Sequence, residues 1–547
     1  MKLGTLTLLL IVTAWNATAV AQVTSDRLLD PDAEPGNWLM YSGAYDSQRH
    51  SLLTGVTPEN VGDLQLEWVH QVRSRAGAAE KFEATPLVVD GVMYTVTPPN
   101  DLTALDARTG RVFWIYSHTP SDDARVCCGR VNRGVAIHGD TLFMGTIDAH
   151  LLAIDARTGR LKWDVQVANP QLGYAVTVAP MVVKDKVIIG PAGGEYGIRG
   201  FIAAYDVETG DQEWRFDTVP EPDEPGGETW ENPDSRHTGG GSIWVTGSYD
   251  PELDMIYWGV GNPGPDWNGD SRPGDNLYTD SVVALDPDDG TLRWHYQFTP
   301  HDEMDYDAVQ IPVLADLNFR GEDRRVMLWA NRNGLFYVID RVTGEFLHGS
   351  PFVEVNWMDG FDENGRPNQV LAPSEGGTLI MPNNQGATNW YSPSYSPETE
   401  LFYIPSWMDT FSVYTKRPVE YVEGQQFVGA FPTMAMPALG TRPTNVRLPE
   451  EGYGAIQAVD PQTGDVAWRF EMTDVTDSGV LTTATNLVFA GGREGYFYAL
   501  DARDGTMLWN QSLGGQVASG PMSYQIDGRQ YIAIAAGAGL FVFTLPE

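Results

Sequence analysis

The stretch Ala104-Leu105-Asp106-Ala107-Arg108-Thr109-Gly110-Arg111-Val112-Phe113-Trp114 is one copy of a pattern that recurs along the chain. The pattern is an apolar residue, any residue, Asp, two residues, Thr or Asp, Gly, three residues and Trp. The complete copies have their Asp, Gly and Trp at Asp106, Gly110 and Trp114; Asp155, Gly159 and Trp163; Asp206, Gly210 and Trp214; Asp286, Gly290 and Trp294; Asp460, Gly464 and Trp468; and Asp501, Gly505 and Trp509. A seventh copy, from Asp340 to Gly344, has His348 where the Trp stands elsewhere.

Each copy of the pattern predicts a β-hairpin. Alternating apolar residues form one strand, the Asp and Gly make a tight turn, and a second strand ends on the Trp. Where the spacing is regular, copies lie roughly 40–55 residues apart, which is the length of a four-stranded propeller blade. We expect the repeated Trp to fill the space between adjacent blades, in a structural role and not as a cofactor contact.

The number of blades follows from the longest interval between copies. Asp340 and Asp460 are too far apart for one blade, and between them lies an unmarked hairpin, Tyr395-Ser396-Pro397-Glu398 followed by 401–405. Counting this hairpin as a blade gives eight. An early strand around Leu64, Leu66 and Trp68 is expected to pair with the last blade and close the ring. The sequence therefore predicts an all-β protein, an eight-bladed β-propeller with tryptophan-docking repeats that occupies residues 22–547 as a single domain.

The first residues have the three parts of a secretory signal peptide. Lys2 provides a basic start, an apolar run covers 6–12, and Ala19-Val20-Ala21 ends the segment. The run is too short to span a bilayer comfortably, and no later stretch is long and apolar enough. We expect residues 1–21 to be a signal peptide, the mature protein to lie outside the cytoplasm, and no membrane span; a buried N-terminal helix is the alternative.

The formal charge of −38 bears on possible partners. A nucleic-acid interface needs Lys and Arg against phosphate, so the charge argues against nucleic acid as a partner. It is compatible with a basic protein partner or with life in salty surroundings. A homodimer remains open, because the sequence does not indicate the oligomeric state.

Several short motifs outside the repeat carry residues suited to chemistry. Those that stand out are Cys127-Cys128-Gly129-Arg130-Val131-Asn132-Arg133, Gly193-Gly194-Glu195-Tyr196-Gly197, Gly261-Asn262-Pro263-Gly264-Pro265 and His301-Asp302-Glu303-Met304-Asp305-Tyr306-Asp307. Together with the repeat, and in this order, they resemble the pyrroloquinoline quinone (PQQ)-dependent alcohol dehydrogenases of the methanol and ethanol type. The resemblance covers essentially the whole chain after residue 21. It implies a periplasmic enzyme that oxidises a primary alcohol to the aldehyde with PQQ.

PQQ is a planar tricarboxylate with an ortho-quinone, so its site needs an aromatic floor and cationic or hydroxyl partners. The resemblance implies that Trp244 is the stacking indole, that Arg133 meets a PQQ carboxylate and that Arg332 lies near the quinone oxygens. The further contacts that it implies are Glu83, Thr177, Gly193, Gly194, Ser242, Asn389 and Trp390. Any one of these could equally be an ordinary turn or core residue, and it is their joint order along the chain that favours the cofactor site.

Cys127 and Cys128 are the only two cysteines of the chain. In an exported protein such a pair is expected to be oxidised, although two buried free thiols are the alternative. Adjacent Cα atoms lie about 3.8 Å apart, below the usual disulfide range, so the bond would be strained. The resemblance implies that the disulfide ring lies flat against the quinone. With both cysteines used there is no Cys-x-x-Cys-His haem site, and we expect a separate periplasmic cytochrome c to accept the electrons.

The resemblance also implies a metal site. Glu195, Asn262 and Asp305 match the family's three protein ligands, and all three offer the oxygen donors that a hard cation requires. Asp305 also matches the catalytic base, which would accept the proton of the alcohol hydroxyl while the ion polarises the quinone carbonyl and hydride passes from the substrate carbon to PQQ.

Asp307 bears on the identity of the metal. Lanthanide-using members of the family carry a second Asp two positions after the catalytic one, where calcium members usually have a small uncharged residue. Residues two apart in an extended segment point to the same side, so Asp305 and Asp307 are expected to face one ion. We therefore expect one lanthanide ion, with Ca²⁺ as the alternative; a solvated turn is the other interpretation of Asp307.

Two departures from the family pattern lie near the expected pocket. Met304 stands where the family usually has Trp, and Asp477-Ser478 stands where many members have Trp-Gly. They put the substrate size and one PQQ contact in doubt. Two other functions stay open: a PQQ-dependent sugar or polyol dehydrogenase, and a non-catalytic propeller used for protein assembly. The assembly protein would have no reason to carry the cysteine pair together with the metal set.

Overall fold

The structure, a computed structural model, describes residues 22–72, 81–430, 432–434 and 452–547. Four-stranded antiparallel sheets are arranged as the blades of a propeller, and the described residues form eight of them. The strands of blades 1 to 4 are Leu87–Val89, Val92–Thr97, Asp101–Asp106 and Val112–Ser117; Ala136–His138, Thr141–Gly145, His150–Asp155 and Leu161–Gln166; Met181–Val183, Lys186–Ile189, Phe201–Asp206 and Gln212–Asp217; and Ser248–Asp250, Met255–Gly259, Ser281–Leu285 and Leu292–Gln297. Those of blades 5 to 8 are Val313–Phe319, Glu322–Ala330, Leu335–Asp340 and Phe346–Pro351; Ser394–Ser396, Leu401–Met408, Tyr453–Val459 and Val466–Met472; Leu481–Thr483, Leu487–Gly491, Tyr496–Asp501 and Met507–Ser512; and Met522–Ile526, Arg529–Ala536, Gly539–Thr544 and Gln65–Gln71. The predicted all-β, eight-bladed propeller is confirmed.

Several short strands and helices lie outside the four-stranded blades or extend them. His50–Ser51 adds a short parallel strand to blade 7. A two-stranded sheet (Met358–Phe361 and Pro367–Gln369) and a three-stranded sheet (Thr378–Ile380, Ser412–Tyr414 and Thr433–Met434) lie outside the blades. The helices are the α-helix Ser25–Leu29 and the 3-10 turns Pro31–Ala33, Val61–Asp63, Pro170–Leu172, Gly194–Tyr196, Gly227–Thr229, Pro233–Thr238 and Gly269–Ser271. The predicted signal peptide, residues 1–21, lies outside the described residues. In the described part of the chain, no helix combines the length and apolar character needed to cross a membrane.

The repeated Trp joins each blade to the next. Trp114 lies in the outer strand of blade 1, and its indole packs against Gly159 in the turn of blade 2, while its Nε1 donates to the Ala156 carbonyl at 3.2 Å. Gly159 has φ +68°, and a Cβ there would lie 2.6 Å from the indole, so both the turn and the packing require glycine. The predicted structural role of the Trp is thus confirmed. The same packing holds for Trp163 on Gly210, Trp214 on Gly290, Trp294 on Gly344 and Trp468 on Gly505, and His348 takes the place of the Trp against Gly464.

The ring closes through its first long strand. Gln65–Gln71 pairs antiparallel with Gly539–Thr544, as expected from the sequence. Trp68 on this strand lies against Gly110 of blade 1, and its Nε1 donates to the Ala107 carbonyl at 3.2 Å. The seam between the two ends of the chain therefore uses the same Trp-on-Gly contact as most of the other blade junctions.

The origin of the eighth blade differs from the prediction. The hairpin around Tyr395 is not a blade of its own, because its second strand, Leu401–Met408, pairs with Tyr453–Val459 and so forms blade 6 together with the Asp460 repeat. A two-stranded hairpin alone buries too little surface to be stable, and this pairing completes a four-stranded sheet. The blade without a repeat is blade 8, which is built from both ends of the domain.

Candidate active site

Arg133 lies at the centre of the predicted cofactor side of the site. Its guanidinium contacts Glu83 Oε2 at 2.8 Å and donates to Thr177 Oγ1 at 3.0 Å and to the Trp244 carbonyl at 3.1 Å. All four residues precede or follow inner strands of blades 1 to 4, so the loops of different blades bring them together. Four of the residues predicted to bind the cofactor are therefore neighbours in the structure.

Two indoles flank this guanidinium. The Arg133 Cζ lies 4.9 Å from the ring centroid of Trp244 and 5.8 Å from that of Trp390. Both indoles are half-buried and pack on one apolar cluster formed by Tyr41, Ala179, Val245, Val309 and Ile311. Asn389 is buried, with Nδ2 donating to the Gln385 carbonyl at 2.9 Å, while its Oδ1 has no hydrogen-bond partner among the described residues. This part of the site thus provides two aromatic faces, a cation and an amide oxygen that no described residue hydrogen-bonds.

Cys127 and Cys128 form a disulfide, as predicted. Cys128 is exposed and has φ +65°, a backbone conformation that is uncommon outside glycine and that tends to persist at functional sites. Its Sγ lies 3.3 Å from Glu195 Oε1. The disulfide therefore sits directly beside a predicted metal ligand.

Glycines allow the loop before Glu195 to approach its neighbours closely. Gly193 has φ +120°, and a Cβ there would overlap the Gly173 carbonyl oxygen. A Cβ on Gly194 would lie 3.4 Å from Ser242 Oγ and 3.6 Å from Asn262 Oδ1. The 3-10 turn Gly194–Tyr196 thus presents Glu195 next to Ser242 and Asn262.

Arg332 bridges the two aspartates of the Asp-Tyr-Asp motif. Its Nη2 lies 3.0 Å from Asp305 Oδ2, and its Nη1 lies 2.5 Å from Asp307 Oδ2. The other oxygen of Asp307 accepts the backbone N–H of Asn262 at 2.9 Å. Asp305 and Asp307 therefore face the same side, as predicted, and Asp307 is 5% exposed and not a solvated turn residue.

Asp305 and Glu195 carry raised pKa values. Burial raises the pKa of Asp305 well above its usual range, although the Arg332 guanidinium opposes the shift. Burial, with the nearby Asp307 charge, raises the pKa of Glu195 to about 7. Ionised carboxylates in such surroundings are costly unless a positive charge compensates them.

The carboxylates are suited to a hard cation. The carboxylate charges interact with one another in the set formed by Glu195, Asp305 and Asp307. The positive charge of the Arg332 guanidinium acts on all three of them. In the described part of the chain, no three carboxylates bring their oxygens within 4.8 Å of one another. The donor set is all oxygen and electron-rich, which fits the predicted metal.

The structure adds residues that sequence reasoning missed. Asp477, noted above only as a departure, is buried and lies 2.9 Å from Lys81 Nζ and 2.9 Å from Arg493 Nε. The Lys81 ammonium also lies 4.5 Å from the ring centroid of Trp390, at the edge of the cofactor pocket. The signal that could have revealed Lys81 and Arg493 is the Asp477 departure itself, because a buried acid needs cationic partners. Met304, the other departure, is buried in the apolar core beside Trp267, and its main-chain carbonyl accepts from Tyr414 at 3.1 Å.

Comparisons with known proteins agree with this arrangement. The model of the PQQ family, described as "Glucose/ethanol/alcohol dehydrogenase, beta-propeller domain", matches residues 38–369 and 357–532. The quinoprotein alcohol dehydrogenase PedH of Pseudomonas putida is 37% identical over 550 residues, which cover 95% of this chain and 89% of the relative. These matches argue against a non-catalytic assembly propeller.

Solved structures of the same kind superpose over nearly the whole chain. The quinohemoprotein alcohol dehydrogenase ADHIIG of Pseudomonas putida HK5 gives a TM-score of 0.89 at 36% identity and covers 96% of this chain and 83% of its own. A europium-containing methanol dehydrogenase gives a TM-score of 0.88 at 32% identity and covers 95% of this chain and 100% of its own. The chain belongs to the PQQ-dependent alcohol dehydrogenase family.

Proposed function

We propose that this protein is exported to the periplasm and oxidises a primary alcohol to the aldehyde, with Asp305 as the base. One observation carries the proposal: the indoles of Trp244 and Trp390 flank the Arg133 guanidinium, and Ser242, two residues before Trp244, lies with Asn262 beside the turn that carries Glu195. PQQ, when bound, supplies the two-electron acceptor, and the protein supplies orientation and electrostatics.

The residues that hold PQQ in this proposal are those predicted from the sequence. Trp244 offers the flat apolar face, and Arg133 offers the cation for a carboxylate, already aligned by Glu83 and Thr177. The disulfide of Cys127 and Cys128, which lies beside Glu195, would be a further contact of PQQ. The remaining contacts are assigned to Gly193, Gly194, Ser242, Arg332, Asn389 and Trp390.

Asp305 is suited to accept the proton of the alcohol hydroxyl. Its Oδ2 is held by Arg332 at 3.0 Å, and its side chain keeps 14% of its surface exposed, so a substrate can approach it. The raised pKa makes the carboxylate a stronger base, and the Arg332 guanidinium opposes the rise and favours the ionised form. Arg332 therefore positions the base as well as tuning it.

We further propose that Glu195, Asn262, Asp305 and Asp307 hold one lanthanide ion, with Ca²⁺ as the alternative. A bound cation supplies Lewis acidity at this place. Three carboxylates attract a trivalent ion more strongly than a divalent one, and a similar methanol dehydrogenase contains europium. Electrons then leave for a separate cytochrome c, because both cysteines of the chain are in the disulfide and none can attach haem.

The test is reconstitution of the apo-protein with PQQ and either La³⁺ or Ca²⁺, followed by turnover measurements on primary alcohols, sugars and polyols. Lanthanum should give the more active enzyme, and aldehydes should form in preference to sugar products. Asp307→Ala should erase the lanthanum preference, whereas Asp223→Ala, a change at an exposed loop, should keep it. Full activity with Ca²⁺ and no gain from La³⁺ would reject the lanthanide assignment, and oxidation of sugars in place of alcohols would support the alternative function.

A further inference from the structure

Asp266 is a buried acid that none of the roles above uses. It lies four residues after Asn262, in the loop that leads to Trp267, and its side chain is 0% exposed. Neither of its carboxylate oxygens has a well-formed hydrogen bond among the described residues. An ionised or neutral carboxyl in this state is costly, because a buried polar group without a partner loses its hydration without compensation.

The neighbours of Asp266 are the proposed metal ligands. Glu195 and Asp307 act on its charge, and Asp305 is close enough to be affected by it. The Asn262 side chain, through a hydrogen-bonding contact, and the Arg272 guanidinium, through its charge, favour the ionised form of Asp266. The loop that carries Asp266 approaches the turn of Glu195, since a Cβ on Gly264 would lie 3.7 Å from the Gly194 carbonyl oxygen. Asp266 is therefore on the same side of the site as the ligand set.

Arg272, the nearest buried cation on this loop, is occupied elsewhere. Its Nη1 donates to Asn276 Oδ1 at 3.0 Å, and its Nη2 donates to the Pro265 carbonyl at 3.0 Å and to the Asp302 carbonyl. In the described ranges, no ion pair joins Asp266 to Arg272 or to any other Lys, Arg or His within 4.0 Å. Arg272 therefore acts on Asp266 only through its electric field, and among the described residues no cation pairs directly with the carboxylate.

We infer that Asp266 supplies a further carboxylate oxygen to the cation held by Glu195, Asn262, Asp305 and Asp307; the inference rests on the proposed function. A cation among these residues satisfies all of the carboxylates at once. Four carboxylates and the Arg332 guanidinium leave three uncompensated negative charges, which is the charge of a trivalent ion. Asp266 thus adds to the lanthanide preference assigned to Asp307.

The experiment measures the affinity of the PQQ-reconstituted full chain for La³⁺ and for Ca²⁺ by competition with a chelator of known affinity. Asp266→Asn should weaken La³⁺ binding by roughly 10–100-fold, the range seen when a residue supporting a metal is lost, and should weaken Ca²⁺ binding less. The matched control is Asp280→Asn. Asp280 is equally buried and its oxygens also lack partners. Its charge acts first on Asp302 and then on Asp307 and Asp305, and it is not assigned to the ion, so this variant measures the loss due to charge alone.

Thermal unfolding gives a second readout that does not depend on turnover. Without metal, Asp266→Asn should be at least as stable as the wild type, because an unpaired buried charge has been removed. The rise in Tm on adding La³⁺ should be smaller than in the wild type, in proportion to the lost affinity. Wild-type crystals loaded with La³⁺ should place the ion about 2.6 Å from a carboxylate oxygen of Asp266, which does not require a variant to fold.

The inference is overturned if Asp266→Asn binds La³⁺ as tightly as the wild type, if Asp280→Asn loses as much affinity, or if the crystals show the ion ligated by the other residues alone. These results leave the proposed function standing as long as the wild type oxidises alcohols with PQQ. Conversely, a wild type that binds PQQ and La³⁺ through Asp266 but oxidises no alcohol would reject the proposed function and not the inference.

Discussion

Arg332 organises the acidic side of the site by contacting Asp305 and Asp307 together. The two salt bridges fix the relative positions of the aspartates, and the Asn262 N–H fixes Asp307 from the other side. A buried cation of this kind lets two carboxylates lie close together without both being forced to take up protons. The orientation of the proposed base is therefore set before any ligand arrives.

Asp305→Asn should leave the propeller and PQQ binding largely intact but remove turnover. The amide has nearly the same shape and cannot accept the proton, and general-base catalysis is worth roughly 10²–10⁴ in rate. The loss should reach the upper end of this range, because Asp305 is also assigned to the metal. Turnover, bound PQQ and bound metal are measured on the same sample. More than about a tenth of wild-type turnover, with PQQ and metal bound, would contradict the assignment of Asp305 as the base.

Asp477 departs from the family pattern, and its buried negative charge is compensated by two nearby cations. Burial alone would raise its pKa, but Arg493 and Lys81 outweigh burial and lower the pKa to about 2. The indole found at this place in many relatives needs no counter-charge. The Asp here instead forms a paired group at the edge of the cofactor pocket.

The lowered pKa of Asp477 predicts how the free energy of unfolding depends on pH. A carboxyl whose pKa is lower in the folded than in the unfolded state stabilises the fold above its unfolded value of about 4, and this stabilisation fades as the pH falls towards 2. Asp477→Asn should therefore unfold more easily than the wild type at pH 6, with a gap that narrows by pH 3. Urea unfolding across this range measures the gap. A gap that stays constant with pH would show that Asp477 is not ionised in the folded protein.

At the scale of the element, the repeated hairpin places its Trp against the glycine of the next blade. The pattern predicts the hairpins, because turn residues and alternating apolar residues act locally. It does not indicate which strands complete a blade, because that depends on pairing between distant segments. The hairpin around Tyr395 illustrates this, since its partner strand, Tyr453–Val459, follows more than a blade's length later.

Trp114→Ala should lower the free energy of unfolding by roughly 3 kcal/mol, the lower end of the cost for removing a buried Trp, because this indole is only half-buried. The loss combines the space left over Gly159 with the hydrogen bond to Ala156. The matched control is Phe113→Ala on the same strand, whose side chain is 53% exposed and should change stability little. Equal effects of the two variants on chemical denaturation would contradict the docking role.

At the scale of the whole molecule, the propeller brings residues from distant loops to one site. The residues predicted for the cofactor and the metal come from the whole length between Glu83 and Trp390, and the structure brings them together as neighbours. The family resemblance predicts this set, because those residues recur in a fixed order. It was insufficient for Lys81, Arg493 and Asp266, whose roles depend on contacts particular to this chain.

Closure of the ring by Gln65–Gln71 explains why the repeats and the blades do not correspond one to one. A strand from the start of the domain pairs with the three strands from the end of the domain. The last blade therefore has four strands where the ring closes. The repeat count predicts seven blades directly, and the eighth appears only when the two ends are paired. The resulting ring carries the cofactor pocket and the acidic set on one continuous scaffold.

The measurement that tests the central claim most directly is the PQQ and metal content of the purified full chain, determined together with its activity on primary alcohols. The account predicts one PQQ and one metal ion per chain in the active protein, loss of activity when either is removed, and recovery when both are returned. Folded protein that oxidises primary alcohols without PQQ would contradict the account, as would protein that holds both PQQ and metal and oxidises no primary alcohol.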